Sequence, residues 1–268
     1  MTTAARPDAD TIVLIHGLWM TPLCWEHWIE RFSSRGYSVI APSWPRVEIG
    51  IEQLRRHPDT LAGLGVREIA QHYENIVREL RRPPILIGHS FGGAFVQLLL
   101  DRGLGAAGVA IHSAPVRGVY TLPLSTLRST FPVLHDPRNA WRAVALTPRQ
   151  FHYAFTNTLS EQESASIYDR YHIPGPGRVL FQAAFANLTP RAATRVDFTR
   201  SRRPPLLLIA GGADRVVPAA VNQENFRRYR GDAVTDYKEF PGRSHYTLGQ
   251  AGWEEVADCA LDWALRRK

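Results

Sequence analysis

Short apolar runs alternate with segments of helical spacing along most of the chain. The apolar runs, which are rich in Val, Ile and Leu and are bounded by Gly, Pro or His, are typical of buried strands. They occupy residues 11–15, 37–41, 85–87, 108–111, 206–209 and 235–240. Between most of them the apolar residues recur every three or four positions, as from Val66 to Arg81, which predicts amphipathic helices. This alternation predicts an α/β protein with a mostly parallel, doubly wound sheet of about six strands.

The alternation is interrupted between residues 115 and 205. No strand is predicted there, and the spacing indicates a series of helices at roughly 123–130, 147–156, 160–172 and 176–187. We therefore expect a helical lid at residues 118–199, inserted between two core segments at residues 1–117 and 200–268. Residues 43–66 are rich in proline and glycine and are expected to be irregular.

Composition and charge narrow the classes of function. The 268-residue chain has a net charge of +7 and only two cysteines, Cys24 and Cys259, which excludes a disulfide framework. Of its 32 basic residues 30 are arginine, but the arginine clusters are not interleaved with aromatic residues as in a nucleic-acid stacking surface. We expect no nucleic-acid partner, no metal and no cofactor, since neither metal-ligand spacing nor a G-x-G-x-x-G loop is present.

The start of the sequence, MTTAARPDAD, contains no apolar stretch typical of a secretory signal. No run of about 18 apolar residues is present that would span a membrane. We therefore expect a cytoplasmic protein without a membrane partner, acting on a small molecule.

The motif with the clearest chemistry is Gly88-His89-Ser90-Phe91-Gly92, which has the form G-x-S-x-G. A predicted strand precedes it and a predicted buried helix follows, which is the setting of a nucleophile elbow. The turn is so tight that the residues flanking the serine must be small, and Gly88 and Gly92 meet that requirement. Ser90 is therefore the expected nucleophile, with its hydroxyl exposed at the carboxyl end of the sheet.

A serine nucleophile needs a base and an acid that orients the base. His245 lies between the last predicted strand and the last helix, where it would reach the same sheet edge as Ser90. Asp214 follows the strand at 206–209, although it could instead cap the helix that begins near Pro218. The competing place for the acid is the loop after the fourth strand, but the sequence His112-Ser113-Ala114 offers no carboxylate there.

The oxyanion of an acyl-transfer reaction needs two N–H donors. We expect the backbone N–H of Phe91 to be one of them. The other should come from the loop after the first strand, with Leu18 as the first choice and Trp19 as the alternative. Trp19 is also a candidate for the floor of the substrate pocket, or for ordinary core packing.

These residues resemble the α/β-hydrolase superfamily. The chain order Ser90, Asp214, His245 is similar to the superfamily's order of nucleophile, acid and base, and His16-Gly17 is similar to its oxyanion loop. The resemblance implies an α/β-hydrolase fold with an inserted helical lid, like the smaller bacterial members. Relatives that use a carboxylate nucleophile differ at Ser90. The lyases with a lysine in the site are a weak match, because the only lysines, Lys238 and Lys268, lie in the last predicted strand and at the C-terminus.

The lid is rich in aromatic residues, so we expect an apolar, partly aromatic pocket. The pocket candidates are Trp19, His89, Phe151 and Phe155. Histidines in or near the lid (His112, His135, His152, His172) could also line it, and arginines there (Arg117, Arg128, Arg138, Arg142) could hold a carboxylate. The expected function is a serine hydrolase of a medium-sized apolar ester, lactone or thioester. A carbon–carbon hydrolase, a non-hydrolytic biosynthetic enzyme and a small-molecule receptor are the alternatives.

Overall fold

The computed structural model describes residues 11–48 and 50–268. The strands of these residues are β1 (Thr11–Ile15), β2 (Ser38–Ile40), β3 (Ile85–His89), β4 (Ala107–Ile111), β5 (Ala143–Val144), β6 (Gly175–Pro176), β7 (Leu206–Gly211) and β8 (Thr235–Phe240). The helices are α1 (Glu26–Ser34), α2 (Ile51–Arg56), α3 (Val66–Glu79), α4 (Phe91–Asp101), α5 (Leu124–Leu134), α6 (Pro148–Ala154), α7 (Glu161–Tyr171), α8 (Gly177–Ala184), α9 (Ala219–Arg228) and α10 (Trp253–Arg267).

Six of the strands form one parallel sheet in the order β2-β1-β3-β4-β7-β8. The order reverses direction beside β1, as in a doubly wound sheet, so the prediction of six mostly parallel strands is confirmed. Every residue of β3, β4 and β7 is buried. Strands covered on both faces need apolar residues at every position, which explains why the sequence shows continuous apolar runs instead of alternation.

The carboxyl ends of the parallel strands meet at one edge of the sheet. The strand β3 leads directly into α4, which is apolar nearly all round and buried along its length, and which packs on β3 and β4. In open parallel sheets this edge is where ligands bind. The loops after β1, β3, β4, β7 and β8 therefore decide what chemistry the fold supports.

The segment between β4 and β7, residues 112–205, is called the insertion below. It contains the helices α5 to α8, as the helical spacing predicts. The expectation that it contains no strand is wrong, because β5 and β6 pair antiparallel there, with Ala143 opposite Pro176 and Val144 opposite Gly175. Two-residue strands containing Gly and Pro have no sequence pattern of their own, since their pairing is imposed by packing.

The stretch 43–66, expected to be irregular, contains the short helix α2 and a 3₁₀ turn at Pro58–Leu61. The helix α2 has six residues and buries only Leu54, so its apolar spacing is too short to detect. The lid boundaries at 118 and 199 stay a prediction. None of the helices among the described residues is both long and apolar enough to cross a membrane.

Candidate active site

Ser90 lies in the one-residue turn between β3 and α4, with backbone angles of φ 57° and ψ −120°. A serine in this sparsely populated conformation costs free energy and persists only where the surroundings impose it. Here they do, because a Cβ on Gly88 would lie 2.1 Å from the carbonyl oxygen of Gly92. A Cβ on Gly92 would lie 1.9 Å from the carbonyl oxygen of Ile15. The two glycines let β3, α4 and β1 approach closely enough to hold the strained turn.

Asp214 follows β7 and is buried together with His245, which follows β8. The Nδ1–H of His245 donates to Oδ2 of Asp214 at 2.7 Å. The other carboxylate oxygen, Oδ1, accepts the backbone N–H groups of Val216 and Val217 at 2.7 and 2.8 Å. Asp214 therefore orders the turn before α9 with one oxygen and binds His245 with the other. It does not cap α9, because that helix has Pro218 at its N-cap and no side-chain cap hydrogen bond.

The electrostatics of this pair favour an ionised acid. Burial raises the pKa of Asp214, but His245 and His112 outweigh the burial and hold the pKa of the carboxyl below its usual range. Because Nδ1 of His245 is bound to Asp214, its Nε2 is left to exchange a proton. That Nε2 is buried and makes no hydrogen bond to any described residue. Catalytic hydrogen bonds are often long before substrate binds, so the unbound Nε2 is compatible with a base serving Ser90.

The loop after β1 packs against the turn that carries Ser90. Gly17 in this loop comes so close that an added Cβ would lie 2.7 Å from Cβ of Ser90. Leu18 and Phe91 line the same cavity as Ser90. Among the described residues, neither backbone N–H donates a hydrogen bond. The two N–H groups predicted for the oxyanion hole are therefore free to bind an anion at this point.

The insertion holds this loop in place. The backbone of Trp19 has a φ of 66°, and its indole N–H donates to the carbonyl of Val144 at 3.0 Å. The carbonyl of Trp19 accepts the N–H of Ile173, also at 3.0 Å. In addition, a Cβ on Gly175 would lie 2.8 Å from Cδ1 of Leu18. The segments around β5 and β6 thus pack directly on the oxyanion loop, a link that sequence reasoning did not foresee.

A cavity of about 210 Å³ opens beside Ser90. It is lined mainly by aliphatic side chains of the insertion together with Val216 and Val217. Its lining also includes Leu18, Trp19, Phe91, Ala114, Val116, Val119, Leu122, Leu127, Thr130, Leu134, Leu180, Ala183, Ala184 and Asn187. No charged side chain is among the described residues that line it. Asn187 is already occupied, because its Nδ2 donates to Val119 and its Oδ1 accepts from Gly118. The cavity therefore offers an apolar surface to a ligand.

A sequence model of the alpha/beta hydrolase family matches residues 12–259. The chain belongs to the alpha/beta hydrolase family. This confirms the resemblance drawn from Ser90, Asp214 and His245. A comparison with curated proteins gave no match.

Solved structures similar to this alpha/beta hydrolase include polyneuridine aldehyde esterase, with a TM-score of 0.67, 16% identity and coverage of 96% of this chain and 100% of the other. A monoacylglycerol lipase from Paleococcus ferrophilus has a TM-score of 0.66 and 21% identity, with 96% and 95% of the chains covered. A pyrethroid hydrolase from Sphingobium faniae JZ-2 has a TM-score of 0.63 and 19% identity, with 96% and 97% covered. At these identities the likeness shows the fold.

The pocket candidates of this alpha/beta hydrolase separate into two groups. Trp19 lines the cavity, whereas His89, Phe151 and Phe155 are not among its lining residues. The ring of Phe155 packs edge-on to His245 with 4.8 Å between centroids, and Phe151 stacks on Phe155. The Nε2–H of His89 donates to the carbonyl of His245 at 2.8 Å. Phe155 and His89 therefore contact His245 directly, and Phe151 packs behind Phe155.

The histidines and arginines suggested for the pocket also lie elsewhere. None of the lid arginines and none of the lid histidines lines the cavity beside Ser90. His112 instead lies against Asp214, in the loop after β4. Its position directly after a buried strand could have indicated a place at the catalytic edge.

Proposed function

We propose that this alpha/beta hydrolase is a serine hydrolase that cleaves a medium-sized apolar ester, lactone or thioester. The observation that carries the proposal is the strained Ser90 turn beside the buried Asp214–His245 hydrogen bond, at one edge of the sheet and facing an apolar cavity. In this proposal Ser90 is the nucleophile, His245 the base, Asp214 the group that orients it, and Leu18 and Phe91 the oxyanion donors.

The reaction has two halves. Oγ of Ser90 attacks the substrate carbonyl while Nε2 of His245 takes the hydroxyl proton, and the negative oxygen binds between the N–H groups of Leu18 and Phe91. The intermediate then expels the alcohol or thiol, which receives the proton from His245, and an acyl group remains on Ser90. Water attacks that acyl group with His245 again as base, which releases the acid and restores the serine.

The substrate class follows from the cavity. Its uncharged, mainly aliphatic lining favours an apolar acyl or alcohol group over a charged one. Its volume of about 210 Å³ is below the range of about 300–1,000 Å³ that encloses drug-sized ligands, which favours a group of modest size. Compared structures that bear the names of an esterase, a lipase and a pyrethroid hydrolase support ester cleavage on this fold. We propose that residues 118–199 are the lid that sets this selectivity.

The first experiment is the intact mass of the protein after exposure to a fluorophosphonate, compared with Ser90→Ala. A single adduct in the wild type alone is expected, because the probe reacts with activated serines. Ser113→Ala is the matched control, since Ser113 is a buried serine at the same sheet edge that donates to its neighbour Ala114 and should leave the labelling unchanged. No adduct in the wild type would contradict the proposal.

The unlabelled enzyme and Ser90→Ala are then given matched esters, thioesters and lactones of increasing acyl length. Repeated turnover that depends on Ser90 supports the proposed reaction, and the relative rates show which of the three substrate classes is preferred. A single turnover followed by a ligand-dependent rise in thermal stability would favour a receptor. Labelling without hydrolysis of any of them would favour a carbon–carbon hydrolase or a non-hydrolytic enzyme.

A further inference from the structure

We propose that His112 is a positioning residue that shares one oxygen of Asp214 with the base His245. The inference rests on the proposed function in that it takes His245 as the base. It assigns a role to a buried histidine that the reaction described above does not use.

The contact places two imidazoles on one carboxylate oxygen. Nδ1 of His112 lies 2.8 Å from Oδ2 of Asp214, and Nδ1 of His245 lies 2.7 Å from the same atom. A bare nitrogen lone pair would be repelled by a carboxylate oxygen at that distance, so His112 carries its hydrogen on Nδ1. Neither ring nitrogen of His112 makes a well-directed hydrogen bond to a described residue, so the contact with Asp214 is close but bent.

The surrounding backbone is arranged to admit this ring. His112 has a φ of 46°, and its N–H donates to the carbonyl of Ile209 in β7 at 2.7 Å. On the same strand, a Cβ on Gly211 would lie 2.3 Å from Cε1 of His112. Any other residue at 211 would occupy the place of the imidazole. The ring is therefore fully buried beside the acid in a space that only a glycine leaves open.

The titratable and charged groups around His112 lie at the carboxyl ends of three strands. Asp214 follows β7, His245 and Arg243 follow β8, and His89 ends β3. Arg243 is held by the carbonyls of Gln250, Ala251 and Gly252. Asp214 is thus a negative group close to three imidazoles, and the positive charge of Arg243 acts on His112. Burial lowers the pKa of His112, and Asp214 only partly offsets it. Burial, His245 and His112 also lower the pKa of His89.

A consequence for the base follows from this arrangement. One carboxylate can stabilise one added positive charge, and burial keeps His112 and His89 neutral beside it. The N–H of His112 occupies part of Oδ2 and reduces the stabilisation that Asp214 gives to the protonated His245.

The test is the pH dependence of fluorophosphonate labelling of Ser90, which needs no natural substrate. His112→Leu removes the donor, and we expect the acid limb of the rate profile to move to higher pH by about one unit. His112→Asn keeps an amide N–H and tolerates positive φ, so its limb should coincide with the wild type. His172→Gln, which changes another buried histidine outside the site, is the control and should not move the limb.

Several results would overturn the proposal. One is an unchanged limb in His112→Leu accompanied only by a lower melting temperature, which is what a space-filling residue would give. Another is a limb that moves equally in the Leu and Asn variants, or one that moves to lower pH in the Leu variant. Either would show that the N–H of His112 does not compete for Asp214.

A second measurement uses the unaltered protein and covers the case in which His112→Leu fails to fold. In ¹⁵N-histidine-labelled wild type, the nitrogen shifts of His112 should show a neutral ring with its hydrogen on Nδ1 from about pH 5 to about pH 9. A hydrogen on Nε2, or titration of His112 before His245, would refute the inference. This result does not depend on labelling, so a failure of Ser90 to react would end the proposed function without deciding the role of His112.

Discussion

The catalytic edge of the sheet and the insertion differ in how far their side chains are exposed to solvent. At the edge, Ser90, Asp214 and His245 are buried. The backbone around Ser90 packs so closely that only glycine fits at the adjoining positions. In the insertion, side chains that would normally be buried are open to solvent. Of the ten large hydrophobic residues exposed among the described ones, eight lie between Tyr120 and Leu188.

The difference indicates where each property of the enzyme is encoded. The edge tolerates almost no change, because glycines, strand ends and a shared carboxylate fix its geometry. The insertion supplies most of the cavity lining and has room to vary, because many of its side chains have few constraints on size. Chemistry should therefore be lost by single changes at the edge, whereas selectivity should be adjusted by single changes in the insertion.

The largest effect is expected for the triad itself. Ser90→Ala or His245→Ala should lower kcat on a competent ester by about 10⁴-fold or more, and the double variant should be little worse than either, because the residues act as a unit. Asp214→Asn should lower kcat by about 10⁴-fold because it permits the wrong imidazole tautomer. Steady-state kinetics with melting curves check this, and additive losses in the double variant would contradict it.

Gly92→Ala tests whether close backbone packing fixes the geometry of the catalytic edge. The added methyl would lie 1.9 Å from the carbonyl oxygen of Ile15, so β1 and α4 must separate. We expect the free energy of unfolding to fall by about 3 kcal/mol or more, with labelling of Ser90 lost. The control is Gly103→Ala, which has a positive φ and no atom within 4 Å of the new carbon, and it should cost about 1 kcal/mol. Similar losses in urea unfolding of both variants would disprove the steric account.

Ala183→Leu tests whether the insertion sets selectivity. Ala183 lines the cavity from α8, so a larger side chain should exclude long acyl groups and admit short ones. We expect kcat/KM to fall by about 10-fold for a long-chain ester and by less than about 2-fold for a short-chain ester. Ala165→Leu makes the same change on the exposed side of α7, away from the cavity, and should alter neither. A uniform loss for all chain lengths in Ala183→Leu would argue against selectivity.

The smallest effect concerns the stability of the insertion at low pH. Burial lowers the pKa of His172 to about 3, and its Nε2 accepts the N–H of Leu146 at 3.1 Å. Because the unfolded histidine binds a proton near pH 6.5 and the folded one does not, stability falls as the pH drops from about 6.5 towards about 3.

His172→Gln keeps an acceptor for Leu146 without a titrating group. The loss of melting temperature between about pH 7 and about pH 4.5 should be smaller in this variant by about 3 °C. His135→Gln, at an exposed position of the insertion, is the control. An equal acid loss in all three proteins would show that other groups cause the destabilisation.

Features that depend on neighbouring residues in the chain could be predicted from the sequence. The parallel sheet follows from apolar runs, and the elbow around Ser90 follows from glycines two residues to either side. Asp214 and His245 could be expected to lie close together, because each follows a strand of the same sheet. The two short strands of the insertion and the contact of the His112 ring with Asp214 could not be predicted, because each depends on packing against a distant segment. The predicted pocket residues Phe151, Phe155 and His89 are not among those that line the cavity beside Ser90, because composition alone does not tell which way a side chain points.

The bonds between Trp19 and the segments around Val144 and Ile173 have a consequence for engineering this enzyme. A designer who exchanges the insertion for that of another family member would remove the acceptor and the donor that hold the loop bearing Leu18. Such a chimaera would need both bonds rebuilt before its new specificity could be measured. In this protein the insertion, which lines most of the cavity, also supports the loop that packs against Ser90, so the two cannot be treated as separable modules.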